Sequence, residues 1–87
     1  MRVTQTSQLK KDAKRQRKRG RELEKIREMI DLLVTGEPLP PRYGDHSLAG
    51  NWAGWRACHL EPGWMLIYKK SEEEIILGRT GSHSDLF

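Results

Sequence analysis

The sequence predicts a two-layer α+β domain, with two N-terminal helices packed on one face of a twisted antiparallel sheet. Three observations predict it. Apolar residues recur at helical spacing in the N-terminal part of the chain. Aromatic and β-branched residues concentrate after the Pro-rich stretch "EPLPPRYGDHSLAGN". A Pro-Gly turn divides two of the apolar runs that follow, as in a hairpin.

"MRVTQT" carries Val and Thr and reads as a short edge strand. Thr6 or Ser7 can cap a first helix through the hydroxyl. "QLKKDAKRQRKRG" continues that helix, with Leu9 and Ala13 as its clear inward residues. Gly20 ends it, because glycine accepts the left-handed backbone. "RELEKIREMIDLLVTG" is the strongest helix signal. Leu23, Ile26, Ile30 and Leu33 form one face, and Met29 and Leu32 widen it. Gly36 stops it, and Pro38, Pro40 and Pro41 stiffen the loop that follows. "WAGWRACHL", "WMLIYKK" and "EEIILGR" read as three strands of a meander. Pro62-Gly63 suits the centre of a type II turn between the first two. The tail "RTGSHSDLF" is polar and turn-prone. The second sheet face is expected to be free for a ligand or partner.

The 87 residues make one domain, 1–87, with a thin core. Hydrophobic residues are 36% and charged residues 32%, a globular rather than a disordered balance. No apolar run approaches the ~18 residues of a membrane span, and no secretory signal is visible. Cys58 is the single cysteine, so no internal disulfide and no cysteine metal cluster is expected. It reads as a small packed side chain. The expected compartment is the cytoplasm.

Charge is unevenly spread. Residues 10–27 hold ten Lys or Arg against three acids, whereas residues 28–87 hold five against nine. A membrane-surface helix would need large apolar residues opposite the charges, and Leu9 and Ala13 do not supply them. The block formed by Lys10, Lys11, Lys14, Arg15, Arg17, Lys18, Arg19 and Arg21 suits phosphate instead, whose binding is mainly counterion release. No helix-turn-helix pattern accompanies it, which weakens a DNA-binding reading.

His46, His59 and His83 fall in a loop, a strand and the tail. Their spacing matches neither a zinc finger nor an HExxH helix, so no metal is expected. RNA cleavage without a metal needs a base for the 2′-hydroxyl, an acid for the departing 5′-oxygen, and a cation for the phosphorane. Imidazole titrates near neutrality and can serve as base or acid. Arginine forks onto phosphate oxygens. Arg79 and His83, four residues apart, form a candidate cation-plus-acid pair. Trp52, Trp55 and Tyr68 read as packing residues. Trp64 and Phe87 are candidates to stack on a base.

"DHSLAGNWAGWRACHLEPGWMLIYK" followed by "RTGSHSDLF" resembles the YafQ branch of the RelE toxin superfamily over nearly the whole chain. The resemblance implies the RelE-like microbial RNase fold and a type II toxin that cuts messenger RNA in the ribosomal A site. The products would be a 2′,3′-cyclic phosphate and a 5′-hydroxyl, with no cofactor. It implies mRNA, the ribosome with its 16S rRNA, and a cognate antitoxin as partners, no membrane, and a free toxin that is monomeric. His46, His59, Arg79 and His83 fall on the catalytic pattern, with the division of acid and base work among the histidines left open. Trp64 and Phe87 fall among the substrate-positioning places. The helix bases are expected to grip ribosomal RNA, and Arg56 to add a contact nearer the cut. Replacing Arg79 by Ala is expected to leave the fold intact. One position departs: the family usually has Asp where this chain has Gly63, which offers no acid or base. Either other groups supply that function, or catalysis is weakened and the chain is a non-catalytic RNA- or antitoxin-binding module.

Overall fold

A computed structural model describes residues 1–87. Strand β1 (Arg2–Gln5) leads into helix α1 (Ser7–Lys18) and helix α2 (Glu24–Val34). Four strands follow: β2 (His46–Ser47), β3 (Arg56–Glu61), β4 (Trp64–Lys70) and β5 (Glu74–Gly81). A one-turn helix, α3 (His83–Leu86), ends the chain. The sheet order is β1-β5-β4-β3-β2. All neighbours are antiparallel except β1, which runs parallel to β5. The long path through both helices makes that parallel return possible.

The expected α+β architecture is present, with both helices on one face. Leu9, Ile26, Met29 and Leu33 from the helices meet Cys58, Leu60, Trp64, Leu66, Tyr68, Ile75 and Leu77 from the sheet. Thr6 caps α1, its hydroxyl accepting from the Leu9 amide at 3.0 Å. Cys58 is fully buried, and burial pushes its thiol up to about 12, so it is an inert packing group.

Four expectations change. The first meander strand starts at Arg56, and Trp52 and Trp55 precede it in a 3-10 turn and its exit. Their indole rings pack edge-to-face at 5.7 Å. The second sheet face is not bare. Ala57, Met65, Ile67 and Leu86 form a small core there, backed by Leu48, Trp52 and Trp55. The turn-prone tail divides, with residues 79–81 finishing β5 and His83–Leu86 closing as α3. The inward edge of α1 is Leu9, Asp12 and Gln16, with Ala13 only partly covered. Where β1 stops, Asp12 takes over the exposed edge of β5 by accepting from the Thr80 amide at 3.2 Å. A buried carboxylate on a helix whose inward edge otherwise offers only Leu9, Ala13 and Gln16 is a side chain that edge requires.

Candidate active site

Strand register assembles the site. His46 lies beside Ala57, Ala57 beside Ile67, and Ile67 beside Arg79. In the adjacent row His59 pairs with Met65, and Met65 with Gly81. Side chains in register project from the same face of a sheet. Ala57, Met65 and Ile67 mark that face as the one turned away from α1 and α2. His46, His59 and Arg79 therefore all start on it. His46 and His59 are diagonal neighbours, about 7–8 Å apart at Cα. Arg79 lies three strands from His46, roughly 14 Å across the sheet.

Helix α3 completes the arrangement. Leu86 packs onto Ala57, Met65 and Ile67, which sets His83 and Phe87 over the end of the second row. A pocket of about 340 Å³ results, lined by His46, Leu48, His59, Gly63, Met65, His83 and Phe87. All three histidines thus meet around one cavity. The His83 and Phe87 rings are 5.1 Å apart.

So short a helix needs anchors, because it cannot nucleate alone. Ser82 and Asp85 form a reciprocal capping box, with bonds of 3.2 and 2.9 Å. Arg19 then clamps the Asp85 carboxylate with both terminal nitrogens, at 2.6 and 3.2 Å. Arg19 and the Ser82 amide hold that carboxyl well below the usual carboxylate range. The clamp presses Asp85 onto β5. A Cβ at Gly81 would sit 2.9 Å from the Asp85 side chain, so only glycine fits there. Asp85 was legible as the N3 residue of an S-x-x-D box, a signal the sequence reading missed.

The loop before β2 orients two of the imidazoles. His46 Nδ1 donates to the Gly44 carbonyl at 2.8 Å, because a carbonyl can only accept. In neutral His46 the lone pair is therefore on Nε2. Gly44 has φ +56°, and a Cβ there would lie 3.0 Å from the His59 ring. One glycine thus seats both rings. Asp45 points the other way, as alternation in an extended chain demands. It accepts from the Tyr68 hydroxyl at 2.6 Å and from Arg56 Nη2 at 3.0 Å. Burial and the Asp45 carboxylate push the Tyr68 hydroxyl far up, so it stays a donor.

Three sequence expectations are corrected here. Arg56 shares the helix face with Tyr68, opposite the pocket, and is paired with Asp45, so it cannot reach a nucleotide at the histidines. Trp64 is fully buried and donates from Nε1 to Thr80 Oγ1 at 2.8 Å, so no base can stack on it. Arg79 is not a loose cation. Its Nε and Nη2 grip Asp12 at 2.6 and 3.2 Å, and Nη1 has no hydrogen-bond partner in the chain. Asp12 is 1% exposed. Removing Arg79 would leave that carboxylate with bonds from Gln8 and the Thr80 amide but no cation, so an Ala substitution is expected to cost stability as well as charge.

The basic block divides. Lys10, Lys11, Lys14, Arg15, Arg17 and Lys18 are exposed and make no ion pair. Arg19 is engaged with Asp85. Arg21 pairs with Glu61 at 2.9 Å and lies 5.5 Å over the Trp64 ring. Gly63, with φ +82°, is on the pocket rim, and a Cβ there would be 3.8 Å from Arg21 Nη2.

A model of the family described as the bacterial toxin of type II toxin-antitoxin system, YafQ, matches residues 1–87. This chain belongs to the YafQ toxin family. It is 40% identical over 86 residues to the mRNA interferase toxin YafQ of Escherichia coli K12, covering 98% of this chain and 94% of that protein. The YafQ crystal structure from E. coli BL21(DE3) superposes with a TM-score of 0.92 at 37% identity, over 100% of this chain and 99% of that one. YafQ in the E. coli DinJ-YafQ toxin-antitoxin complex gives 0.88 at 40% identity, over 98% and 94%. The mixed sheet and two-helix layer are therefore a YafQ fold, as the motifs implied. No helix of this YafQ-family chain is long and apolar enough to cross a membrane.

Proposed function

We propose that this chain is a metal-independent endoribonuclease toxin that cuts messenger RNA in the ribosomal A site. The observation that carries the reading is the convergence of His46, His59 and His83, from three separate elements, on one cavity. Membership of a family whose E. coli member is named an mRNA interferase supports it. His46 Nε2 takes the 2′-hydroxyl proton, since Nδ1 is committed to Gly44. The 2′-oxygen attacks phosphorus, and the P–O5′ bond breaks. His83 protonates the leaving 5′-oxygen, yielding a 2′,3′-cyclic phosphate and a 5′-hydroxyl. Arg79, oriented by Asp12, offers Nη1 to the phosphorane. Arg79 does not itself line the histidine cavity, so this role requires the phosphate to extend toward β5. Phe87, 51% exposed, positions a base by stacking. Trp64 and Arg56 act through the scaffold. A cognate antitoxin binds the toxin, as DinJ binds E. coli YafQ. The free toxin is monomeric and works in the cytoplasm.

The test is programmed ribosomes in magnesium buffer, incubated with the purified chain after it has been stripped of metal with EDTA and desalted. Message cut in the A site, with a cyclic phosphate end, is the expected result; occupancy without cutting would leave only the binding-module reading, which Gly63 favours. Restoring Asp at that position (Gly63→Asp) is expected to raise the rate about 10²-fold, the lower end of what an acid–base group contributes. The positive φ costs roughly 1 kcal/mol in stability. An unchanged rate would mean that Gly63 costs the enzyme nothing.

The six unpaired bases of α1 are assigned to ribosomal RNA. Replacing Lys11, Lys14 and Arg15 together by Gln should weaken ribosome binding and lower the salt slope by about 2–3. An unchanged slope would remove α1 from the grip.

A further inference from the structure

A phosphodiester joins two nucleosides, and the histidine pocket houses one. A second concavity, of about 560 Å³, opens on the other side of His59. His59 is the only residue that lines both. An imidazole shared by two adjoining cavities is where a phosphate bridging two nucleosides would pass. His46, the base for the 2′-hydroxyl, and His83, the acid for the 5′-oxygen, both line the first cavity, so that cavity takes the upstream ribose and the scissile phosphate, and the chain beyond the 5′-oxygen leaves past His59. The second is then left for the downstream nucleotide.

Its walls suit a nucleotide. The Arg42 guanidinium lies 4.8 Å from the centre of the half-buried Tyr43 ring and donates to its hydroxyl at 2.9 Å. Together they present a flat π surface with a positive charge, the usual platform for a nucleobase. Arg42 has no carboxylate partner, so its charge is free for a phosphate. Two carboxylates share the wall, and they differ. Glu61 is occupied by Arg21 at 2.9 Å and Lys25 at 3.3 Å. Glu28 is exposed and pairs with no cation. An unpaired carboxylate can only accept hydrogen bonds, so it favours a base edge bearing an amino group. Adenine, guanine and cytosine carry one, whereas uracil offers only its N3–H, flanked by two carbonyl oxygens that repel a carboxylate.

We propose that the concavity formed by Tyr43, Arg42 and Glu28 beyond His59 is a subsite for the nucleotide downstream of the scissile phosphate, selective for an amino-bearing base over uracil. The proposal rests on the endoribonuclease reading for its direction along the message. It can be tested apart from catalysis. The full-length chain is titrated with two dinucleotides, adenosine-cytidine and adenosine-uridine, each carrying a 2′-O-methyl group on the upstream ribose so that it cannot be cut. NMR shifts of the Tyr43 ring and the Glu28 side chain are followed. The cytidine dinucleotide is expected to move both and to bind at least ~3-fold tighter, about the effect of one weak hydrogen bond. Glu28→Gln is expected to bring that ratio close to one, and Tyr43→Ala to weaken both ligands. Equal binding of the two dinucleotides, or no shift at Tyr43 at millimolar ligand, would overturn the subsite. Discriminating binding by a chain that leaves A-site message uncut would sustain the subsite and sink the endoribonuclease reading alone.

Discussion

Replacing His46 by Ala is expected to slow A-site cleavage by about 10²–10⁴-fold while leaving thermal stability almost unchanged. The size is that of a general base removed from a proton transfer. The stability expectation follows from placement. His46 is exposed on a two-residue strand, and its one intramolecular bond is to the Gly44 carbonyl, which water can replace. Substitutions at such sites usually stay within about 0.5 kcal/mol. A Gln at position 46 keeps a donor for Gly44 but supplies no base, so it should be as inactive as Ala. If Gln restores the rate, His46 only positions its loop. If Ala loses cleavage and folding together, the defect says nothing about proton transfer.

The second large effect lies at the Arg79–Asp12 pair. Arg79→Ala is expected to abolish cleavage and also to destabilise the domain by about 3 kcal/mol, the low end for breaking a buried ion pair because Arg79 is partly exposed. For a domain of this size that lowers Tm by on the order of 15 °C. Loss of growth arrest with the Ala variant is therefore no proof of a catalytic role. Arg79→Lys separates the two. A lysine ammonium keeps the charge beside Asp12 but lacks the second arm that would face a phosphate. It should recover much of the stability and little of the activity; recovery of both would reduce Arg79 to a strut.

The same pair sets a pH signature. Burial pushes the Asp12 carboxyl up, but bonds from Arg79, Gln8 and the Thr80 amide outweigh it and hold the group below its ordinary value. The Asp85 carboxyl is held down by Arg19 and the Ser82 amide. A carboxyl depressed in the folded state stabilises fully above its unfolded value, near 3.9, and stops doing so as pH falls through the folded value. Stability should therefore be flat on this account from pH 7 to about 5 and decline below about 4. The gap in urea midpoint between the natural chain and Asp12→Asn should close over the same acid range. A gap that persists there would show that the carboxylate charge is not what holds β5 to α1.

Much of the fold was legible. The stripe of Leu23, Ile26, Ile30 and Leu33 marked α2, because helical periodicity is a local property of the chain. Pro62-Gly63 marked the hairpin, where Gly63 does take a positive φ. The three histidines were singled out, and they do share a cavity. Trp64 was misjudged because a residue after a turn looks exposed in one dimension, although strand alternation turns its indole into the core. Arg56 was misjudged for the same reason, since face depends on register with Tyr68. Asp12 went unread because a carboxylate among ten bases looks solvated until a strand edge needs an acceptor.

The order of residues alone settled the periodic elements, the basic character of α1 and the chemical kinds available for a site, since each depends on near neighbours. Tertiary structure decided which of those groups meet. Parallel return of β1, the register across β2 to β5 and the Arg19 clamp on Asp85 join residues up to 72 positions apart. Such contacts form only when the entropy lost in closing long loops is offset by burial and satisfied charge. That balance belongs to the folded chain, and it placed His83 beside His46 while drawing Arg56 and Trp64 away.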